Sequence, residues 1–391
     1  MSDMNSLVSA DTILTLAVRE SGAFEAIDQG LLDRFRKIIE WINERGPYTS
    51  WQVDGMQRQI QQLLATRLRL AVDRERFPGI KGEVIHRPIF VVGFPRAGTT
   101  FLHSLLAEDT DALSLQSWHV YAPSPPPGAG PVCAQRIAFS QRQVEHWMDF
   151  CPGQRALHPY VDKGVCQLIE DEEIYSLDFR AAYAYHYYKV PTLDVISALT
   201  GDEVGGFRFH REFLQHSQWN TGKKHWACKG YSAQHYLEEL FEVYPDALCV
   251  WPHRPVADIL HSLITITNVV YDAIQGRPFG GPEYARATAE TMKGAFDNLL
   301  AGPLVNDPRV MHVRFRDMSA DPISTIKQIY ARQGRAVTGE FEARMSSWLS
   351  DPENLVDRHG RYPYSYESIG LDKKWVEDLF ADYSRYFKLD D

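Results

Sequence analysis

A short apolar run that ends in a glycine-rich turn, PIFVVGFPRAGTT from Pro88, restricts this chain to few folds. The run from Pro88 to Phe94 is continuously apolar and rich in β-branched residues, which is typical of a strand buried on both faces of a parallel sheet. Residues Thr99 to Glu108 then follow a helical pattern. A buried strand, a glycine turn and a helix in this order form the context in which a phosphate-binding loop occurs.

Two later segments repeat the order of strand and helix. ALCVW, from Ala247, is predicted to be a buried strand, and HRPVADILHSLITI opens the helix after it. RVMHVRF, from Arg309, is again strand-like, and ISTIKQIYARQG is a helical pattern that ends at Gly334. Strands that alternate with helices indicate a parallel sheet. The sequence therefore predicts an α/β fold, P-loop-like and three-layered, with a central parallel sheet flanked by helices and an N-terminal helical extension.

The first 80 residues have a different pattern. In LLDRFRKIIEWINERGP the apolar residues between Leu31 and Ile42 recur at three- and four-residue steps, as on one face of a helix. A second stretch of the same kind runs from Met56 to Val72. We therefore expect two parts, a helical extension over residues 1–80 that packs on the core and an α/β domain over residues 81–391.

Composition limits the partners of the chain. Its 391 residues include 51 acidic and 41 basic ones, a net charge of −10, which argues against nucleic acid as a partner but allows a local basic pocket for an anion. The five cysteines show no CxxC spacing, which favours free thiols in a reducing compartment. The N-terminus does not resemble a signal peptide, and no apolar run is long enough to span a membrane. We expect a cytoplasmic protein.

The turn Gly93–Thr100 has the residues that an anion-binding loop needs. Glycines let the backbone wrap around an anion, and the first N–H groups of the following helix point towards it. Arg96 adds a positive charge, and Thr99 and Thr100 add hydroxyl donors. The turn is similar to GxxxxGK[ST], but Thr99 takes the place of the lysine that reaches the terminal phosphates of a nucleoside triphosphate. The loop therefore favours a nucleotide with a shorter anionic tail.

With these residues, PIFVVGFPRAGTTFLHSLLAED resembles the 5′-phosphosulfate-binding segment of sulfotransferases that use 3′-phosphoadenosine 5′-phosphosulfate (PAPS). The resemblance implies that Arg96 contacts the 5′-phosphate and the bridging oxygen. It also implies that Ala97, Gly98, Thr99 and Thr100 form the phosphate cradle. PAPS is then the co-substrate of the protein.

A second segment resembles the 3′-phosphate motif of the same family. In VWPHRPVADILHSL, Arg254 ends a strand and Ser262 follows eight residues later in the next helix, as in the family. A guanidinium that pairs with the phosphate and a hydroxyl that donates to it suit this role. The C-terminal RHGRYPYSYESIGLD is similar to a loop that closes over the nucleotide in bacterial members. There, Arg358, His359 and Arg361 either bind the 3′-phosphate or belong to a solvated basic loop.

The resemblance also indicates a catalytic cation. Sulfuryl transfer needs a positive charge on the leaving phosphate, a nucleophilic acceptor hydroxyl and in-line geometry. Lys229 lies just after a short predicted strand and ahead of Arg254, where these sulfotransferases have a lysine. Because protein cations can neutralise the leaving group and the histidines form no HExxH-type cluster, we predict no metal.

The general base is where the sequence departs from the family. Animal cytosolic members have the base histidine two residues after the lysine, where this chain has Tyr231. We predict His119, in Trp118-His119 after the first helix, because a neutral imidazole suits proton abstraction near pH 7. His235 and then His158 are the next candidates.

Two further segments are interpreted from composition. Tyr183, Tyr185, Tyr187 and Tyr188 could line an apolar acceptor pocket, which favours an alcohol or phenol with an apolar body. The acidic residues between Gln167 and Asp178 are interpreted as a solvated helix face.

Four functions remain open at this point. The first is transfer of a sulfuryl group from PAPS to a hydroxyl of a small, apolar or aromatic acceptor. The second is a sulfotransferase-like dehydratase that eliminates a transient sulfate ester, the third a non-catalytic nucleotide-binding relative, and the fourth a kinase, which the missing lysine disfavours. The sequence leaves open whether the chain forms a homodimer.

Overall fold

The computed structural model describes residues 6–23, 27–158, 163–180, 201–230, 232–359 and 362–389. They fall into two compact units. One unit combines Met1–Ile85, Gln116–Gln143 and Asp171–Gly222, and the other combines His86–Leu115, Val144–Glu170 and Lys223–Asp391. Tyr231, Arg361 and the four tyrosines of the segment 181–200 lie outside the described residues.

The strands and helices that the sequence predicts are present along the chain. The helices are α1 (Ala10–Ser21), α2 (Gln29–Asn43), α3 (Ser50–Arg76), α4 (Thr99–Leu106), α5 (Ser117–Tyr121), α6 (Ala134–Phe150), α7 (Gln154–Leu157), α8 (Glu172–Leu177), α9 (Glu203–Gln218), α10 (Leu237–Val243), α11 (Leu260–Gln275), α12 (Pro282–Ala301), α13 (Phe315–Ala320), α14 (Pro322–Arg332), α15 (Gly339–Ser350), α16 (Lys373–Leu379) and α17 (Ala381–Phe387). The strands are β1 (Ile89–Val91), β2 (Ala112–Leu113), β3 (His225–Lys229), β4 (Leu248–His253) and β5 (Val310–Arg314).

The predicted N-terminal helices are present, and local residues explain their bounds. Asp28 caps α2 by accepting from the backbone N–H of Leu31. Thr49 and Gln52 form a capping box at the start of α3. The apolar face of α2, which includes Phe35 and Ile39, is buried. The helices predicted in the first 80 residues are therefore present, although α3 is longer at both ends than its apolar pattern. The division into residues 1–80 and 81–391 remains a prediction.

The second unit contains a five-stranded parallel sheet in the order β2-β3-β1-β4-β5. In the register, Ile89 of β1 lies beside Ala227 of β3 and Leu248 of β4. Because all strands are parallel, their carboxyl ends meet at one edge. The residues after β1, β3, β4 and β5 therefore come together, although they are far apart in the sequence.

Helices cover both faces of the sheet. On one face Ile89 and Val91 pack in a cluster with Leu102 of α4 and Ile329 of α14. On the other face Phe90 contacts Tyr244, with ring centroids 5.2 Å apart. Strands buried on both faces explain the continuous apolar runs in the sequence. The predicted α/β, P-loop-like fold class is confirmed.

Candidate active site

The loop between β1 and α4 has an unusual backbone. Gly93, Arg96 and Gly98 all have positive φ angles, of 112°, 73° and 97°. A Cβ at Gly93 would lie 2.6 Å from the Trp251 ring, and one at Gly98 would lie 2.5 Å from the Phe315 ring. Glycine is therefore required at both positions by conformation and by space. The loop turns tightly into α4, whose first N–H groups have no acceptor within the helix.

Arg96 joins the loop to a distant part of the chain. Its Nε donates a hydrogen bond to Oγ of Ser262 in α11 at 2.9 Å, and its Nη2 lies 3.5 Å from the hydroxyl of Tyr364. The positive φ of Arg96 is strained for a non-glycine residue, and such strain is common at ligand-binding sites. The structure thus brings together two of the residues that the sequence assigns to opposite ends of the nucleotide.

Arg254 follows β4 at the same edge of the sheet. Its guanidinium lies over the Phe315 ring, 4.8 Å from the centroid, and its Nε is 4.0 Å from Asp258. Desolvation lowers the pKa of Arg254, Asp258 opposes this shift, and the positive charge of Arg96 lowers the pKa further. The two arginines therefore act on each other electrostatically, and together they concentrate positive charge beside the loop.

Lys229, the last residue of β3, is buried against the same loop. Its Nζ donates to Oγ1 of Thr100 at 2.9 Å and to Oε1 of Glu170 at 2.6 Å. Only 6% of the Lys229 side chain and 23% of the Glu170 side chain are exposed. A short, shielded, charge-assisted pair of this kind holds both groups in defined positions. One ammonium group thus connects the loop to a carboxylate that remains accessible to solvent.

Sequence reasoning missed Glu170, and its interpretation of the acidic segment is wrong. Asp171, Glu172, Glu173 and Asp178 are all buried rather than solvated. Asp178, for example, pairs with Arg34, Arg67 and Arg180. The signal that could have found these residues is the density of acids next to the apolar Ile169 and Ile174, since a fully solvated face needs no apolar neighbours.

The other residues that are predicted to bind the nucleotide lie in the loop and near the C-terminus. Ala97 and Thr99 are buried within the loop. Arg358 belongs to the same unit, near the C-terminus, and its Nη1 donates to the carbonyl of Glu353 at 2.6 Å. Arg361 is outside the described residues. The roles of these residues, and the absence of a metal, remain predictions.

The three candidate histidines have different environments. His119 is buried in α5, in the other compact unit, and its Nδ1 accepts the N–H of Gln116 at 3.1 Å. Burial, followed by the charge of Arg136, lowers the pKa of His119 to about 3. Its imidazole is therefore neutral near pH 7, and its unprotonated nitrogen, Nδ1, already accepts a hydrogen bond.

His158 and His235 belong to the unit that contains the sheet. Desolvation and then the charges of Lys229 and Arg96 lower the pKa of His158 to about 3. His158 therefore lies within the electrostatic reach of both basic residues. His235 is exposed, and its ring is nearly perpendicular to that of Phe94, with centroids 6.0 Å apart.

Comparison with known proteins agrees with this architecture. The model of the sulfotransferase family matches residues 88–339, more than half of the chain, and the chain therefore belongs to the sulfotransferase family. A sulfotransferase of Mycobacterium avium is 23% identical, with a TM-score of 0.79, and the match covers 100% of this chain and 99% of that one. One from Mycobacterium tuberculosis is 22% identical, with a TM-score of 0.72 and coverage of 98% and 100%. These two likenesses show the fold. No curated relative matches the chain.

No helix in the described part of the chain is both long and apolar enough to cross a membrane.

Proposed function

We propose that this sulfotransferase transfers the sulfuryl group of PAPS to a hydroxyl of a small acceptor with an apolar or aromatic body. The observation that carries the proposal is the contact between Arg96 and Ser262, with Arg254 beside them. The two segments that we assign to the anionic ends of the nucleotide belong to separate strand-helix units, and this contact brings their side chains together. A nucleotide with anionic groups at both its 5′ and its 3′ positions is the ligand that this arrangement fits.

The residues of the loop fit the 5′ end of such a nucleotide. Gly93 and Gly98 leave the backbone without side chains where a Cβ would collide with aromatic rings, and Thr99 and Thr100 begin α4. Backbone N–H groups, threonine hydroxyls and Arg96 together supply donors for a phosphosulfate. Arg254 and Ser262 would then hold the 3′-phosphate, with Arg358 and Arg361 as further candidates.

Lys229 is the group that we assign to the leaving phosphate. When the bond between sulfur and the bridging oxygen breaks, negative charge develops on that oxygen, and an ammonium group there stabilises the transition state. The contact of Lys229 with Thr100 keeps the ammonium beside the loop. Lys229 could exchange its hydrogen bond with Glu170 for one with the nucleotide without moving its backbone.

Glu170 is better suited than His119 to accept the proton of the acceptor hydroxyl. Although Oε1 of Glu170 accepts from Lys229, a carboxylate has several acceptor sites and this one remains partly exposed, whereas the single acceptor nitrogen of His119, Nδ1, already accepts from a backbone N–H. The nucleophile gains little charge early in a loose transition state, as in phosphoryl transfer, and a carboxylate is basic enough for a late proton transfer. The proton would move from the acceptor oxygen to Glu170 as the new oxygen–sulfur bond forms.

Calorimetry and product analysis test the proposal. We expect 3′-phosphoadenosine 5′-phosphate to bind without a divalent metal and ATP with magnesium to bind far more weakly. Mass spectrometry with PAPS and a panel of phenols and alcohols should then detect sulfate esters. Tighter binding of ATP would contradict the proposal and favour a kinase, and an alkene product would favour elimination.

A further inference from the structure

A chain of hydrogen bonds lies directly behind Arg254, and the proposed reaction does not use it. The hydroxyl of Tyr383 in α17 is 2.6 Å from Nδ1 of His253, the last residue of β4. Nε2 of His253 is 2.7 Å from Nδ1 of His312 in β5, and Nε2 of His312 is 2.6 Å from the carbonyl oxygen of Val305. The chain therefore connects the C-terminal helix with the ends of two neighbouring strands.

The carbonyl group at one end fixes the direction of every bond. A carbonyl oxygen only accepts, so Nε2 of His312 carries a proton. Burial lowers the pKa of His312, which keeps its ring neutral, so its Nδ1 accepts. Nε2 of His253 must then donate, and its Nδ1 accepts the hydroxyl proton of Tyr383. Burial lowers the pKa of His253 well below its usual value and raises that of Tyr383, so both groups stay neutral in this arrangement.

Apolar side chains enclose the chain of hydrogen bonds. The ring of Phe387 stacks on His253, with centroids 3.6 Å apart, and Phe296 lies 4.3 Å from Tyr383. The side chains of His253 and Tyr383 are almost fully buried. Unpaired polar groups in such surroundings are costly, so the three side chains keep their orientations only while all the hydrogen bonds are made.

The backbone of the strand ends connects these hydrogen bonds to Arg254. His253 of β4 lies beside Arg314 of β5 in the sheet. Arg254 and Phe315 directly follow these two strand ends, and their side chains form the cation–π pair. Any change in the separation or twist of the two strand ends would therefore move the guanidinium relative to the loop.

We propose that Tyr383, acting through His253 and His312, is a positioning residue that holds Arg254 in place for the 3′-phosphate of the donor. The inference rests on the proposed function, since it assumes that Arg254 binds this phosphate. Directional hydrogen bonds suit the task because they fix the rotation of a strand end, whereas apolar packing alone tolerates small shifts. On this view α17 belongs to the donor site although it contributes no ligand to it.

A double-mutant cycle tests the inference with 3′-phosphoadenosine 5′-phosphate as the probe. Tyr383→Phe removes one hydroxyl, keeps the ring, and should weaken binding of the nucleotide about three- to tenfold. In a chain that already carries Arg254→Ala, the same substitution should have almost no further effect, because the group that it positions is gone. Tyr386→Phe is the matched control: it removes a hydroxyl of the same helix, bonded to Asn306 at 3.1 Å, and should leave affinity unchanged.

Each outcome separates the alternatives. Losses that add up in the double variant, or an equal effect of Tyr386→Phe, would overturn the positioning role and leave only a structural contribution to folding. If Tyr383→Phe does not fold, as judged by its thermal transition, the cycle is repeated with His312→Phe, which breaks the same chain from the side of the strand. Failure of the unaltered protein to bind the nucleotide would instead overturn the proposed function.

Discussion

Arg96 donates a 2.9 Å hydrogen bond to Ser262 although 166 residues separate the two in the sequence. Each residue lies next to a different strand of the parallel sheet, Arg96 after β1 and Ser262 in the helix that follows β4. The contact joins the two segments that we propose to bind the 5′ and the 3′ end of the nucleotide.

Removal of Arg254 should weaken nucleotide binding. Arg254→Ala deletes a charge-assisted pair with the 3′-phosphate, and we expect a loss of about 2 kcal/mol in the binding free energy of 3′-phosphoadenosine 5′-phosphate. Calorimetry measures it. Arg286→Ala is the control, because Arg286 makes a similar cation–π contact with Trp375, 4.2 Å away, but has no assigned ligand. Equal affinities of the Arg254 variant and the unaltered protein would remove Arg254 from the site.

Removal of Lys229 should reduce turnover more than binding. Lys229→Ala takes the positive charge from the leaving phosphate, so we expect kcat to fall at least about 100-fold while nucleotide affinity changes by much less. Steady-state rates and calorimetry on the same preparations give both values. Lys224→Ala, which removes an exposed lysine paired with Asp111, should change neither. A loss confined to affinity would make Lys229 a binding residue only.

An acceptor that needs no base should restore sulfuryl transfer in a Glu170 variant. Glu170→Gln should reduce transfer to a weakly acidic phenol about 100-fold or more, but should hardly affect transfer to a nitrophenol that is already ionised at neutral pH. Initial rates with the two acceptors provide the comparison. Glu108→Gln is a close control, since Glu108 is 22% exposed and also forms an ion pair, with Arg344 at 3.0 Å.

The same assay decides between Glu170 and the candidate from the sequence. If His119→Ala reduces transfer to the weakly acidic phenol but not to the ionised nitrophenol, while Glu170→Gln changes neither rate, His119 is the base and Glu170 is not. The opposite result is expected, because Nδ1 of His119 is engaged with the backbone of Gln116. Thermal unfolding of both variants identifies any loss that arises from misfolding.

A side chain at Gly98 should disable the loop. Gly98→Ala places a Cβ 2.5 Å from Phe315 at a φ of 97°, so we expect about 1–3 kcal/mol lower stability and weaker nucleotide binding. Gly276→Ala is the control: its φ is also positive, at 64°, but a Cβ there meets no atom within 4 Å. It should lower the melting temperature without an effect on affinity, and a similar loss of affinity in both variants would contradict the role of the loop.

The core elements of the fold follow from local patterns that the sequence displays. The run before Gly93 is a strand because its residues are apolar on both faces, and the glycines after it permit the positive φ angles that the loop adopts. Arg254 and Ser262 lie in a second strand-helix unit, as the sequence predicts, and their binding of the 3′-phosphate remains a prediction. These features depend on neighbouring residues, and the sequence shows them directly.

The partner of Lys229 and the support behind Arg254 could not be predicted in this way. Glu170 lies in an irregular segment without periodicity, and acidic runs are most often solvated. Tyr383 meets His253 only because a C-terminal helix packs on the sheet. Contacts of this kind join residues more than 50 positions apart, and no local pattern encodes them.

The amino-acid order alone determined a strand, a glycine loop and a helix, since backbone conformation and burial respond to adjacent side chains. Tertiary structure decided which charges face each other at that loop. The carboxyl ends of parallel strands converge whatever their distance along the chain, and this convergence brings Arg96, Lys229 and Arg254 to one edge of the sheet.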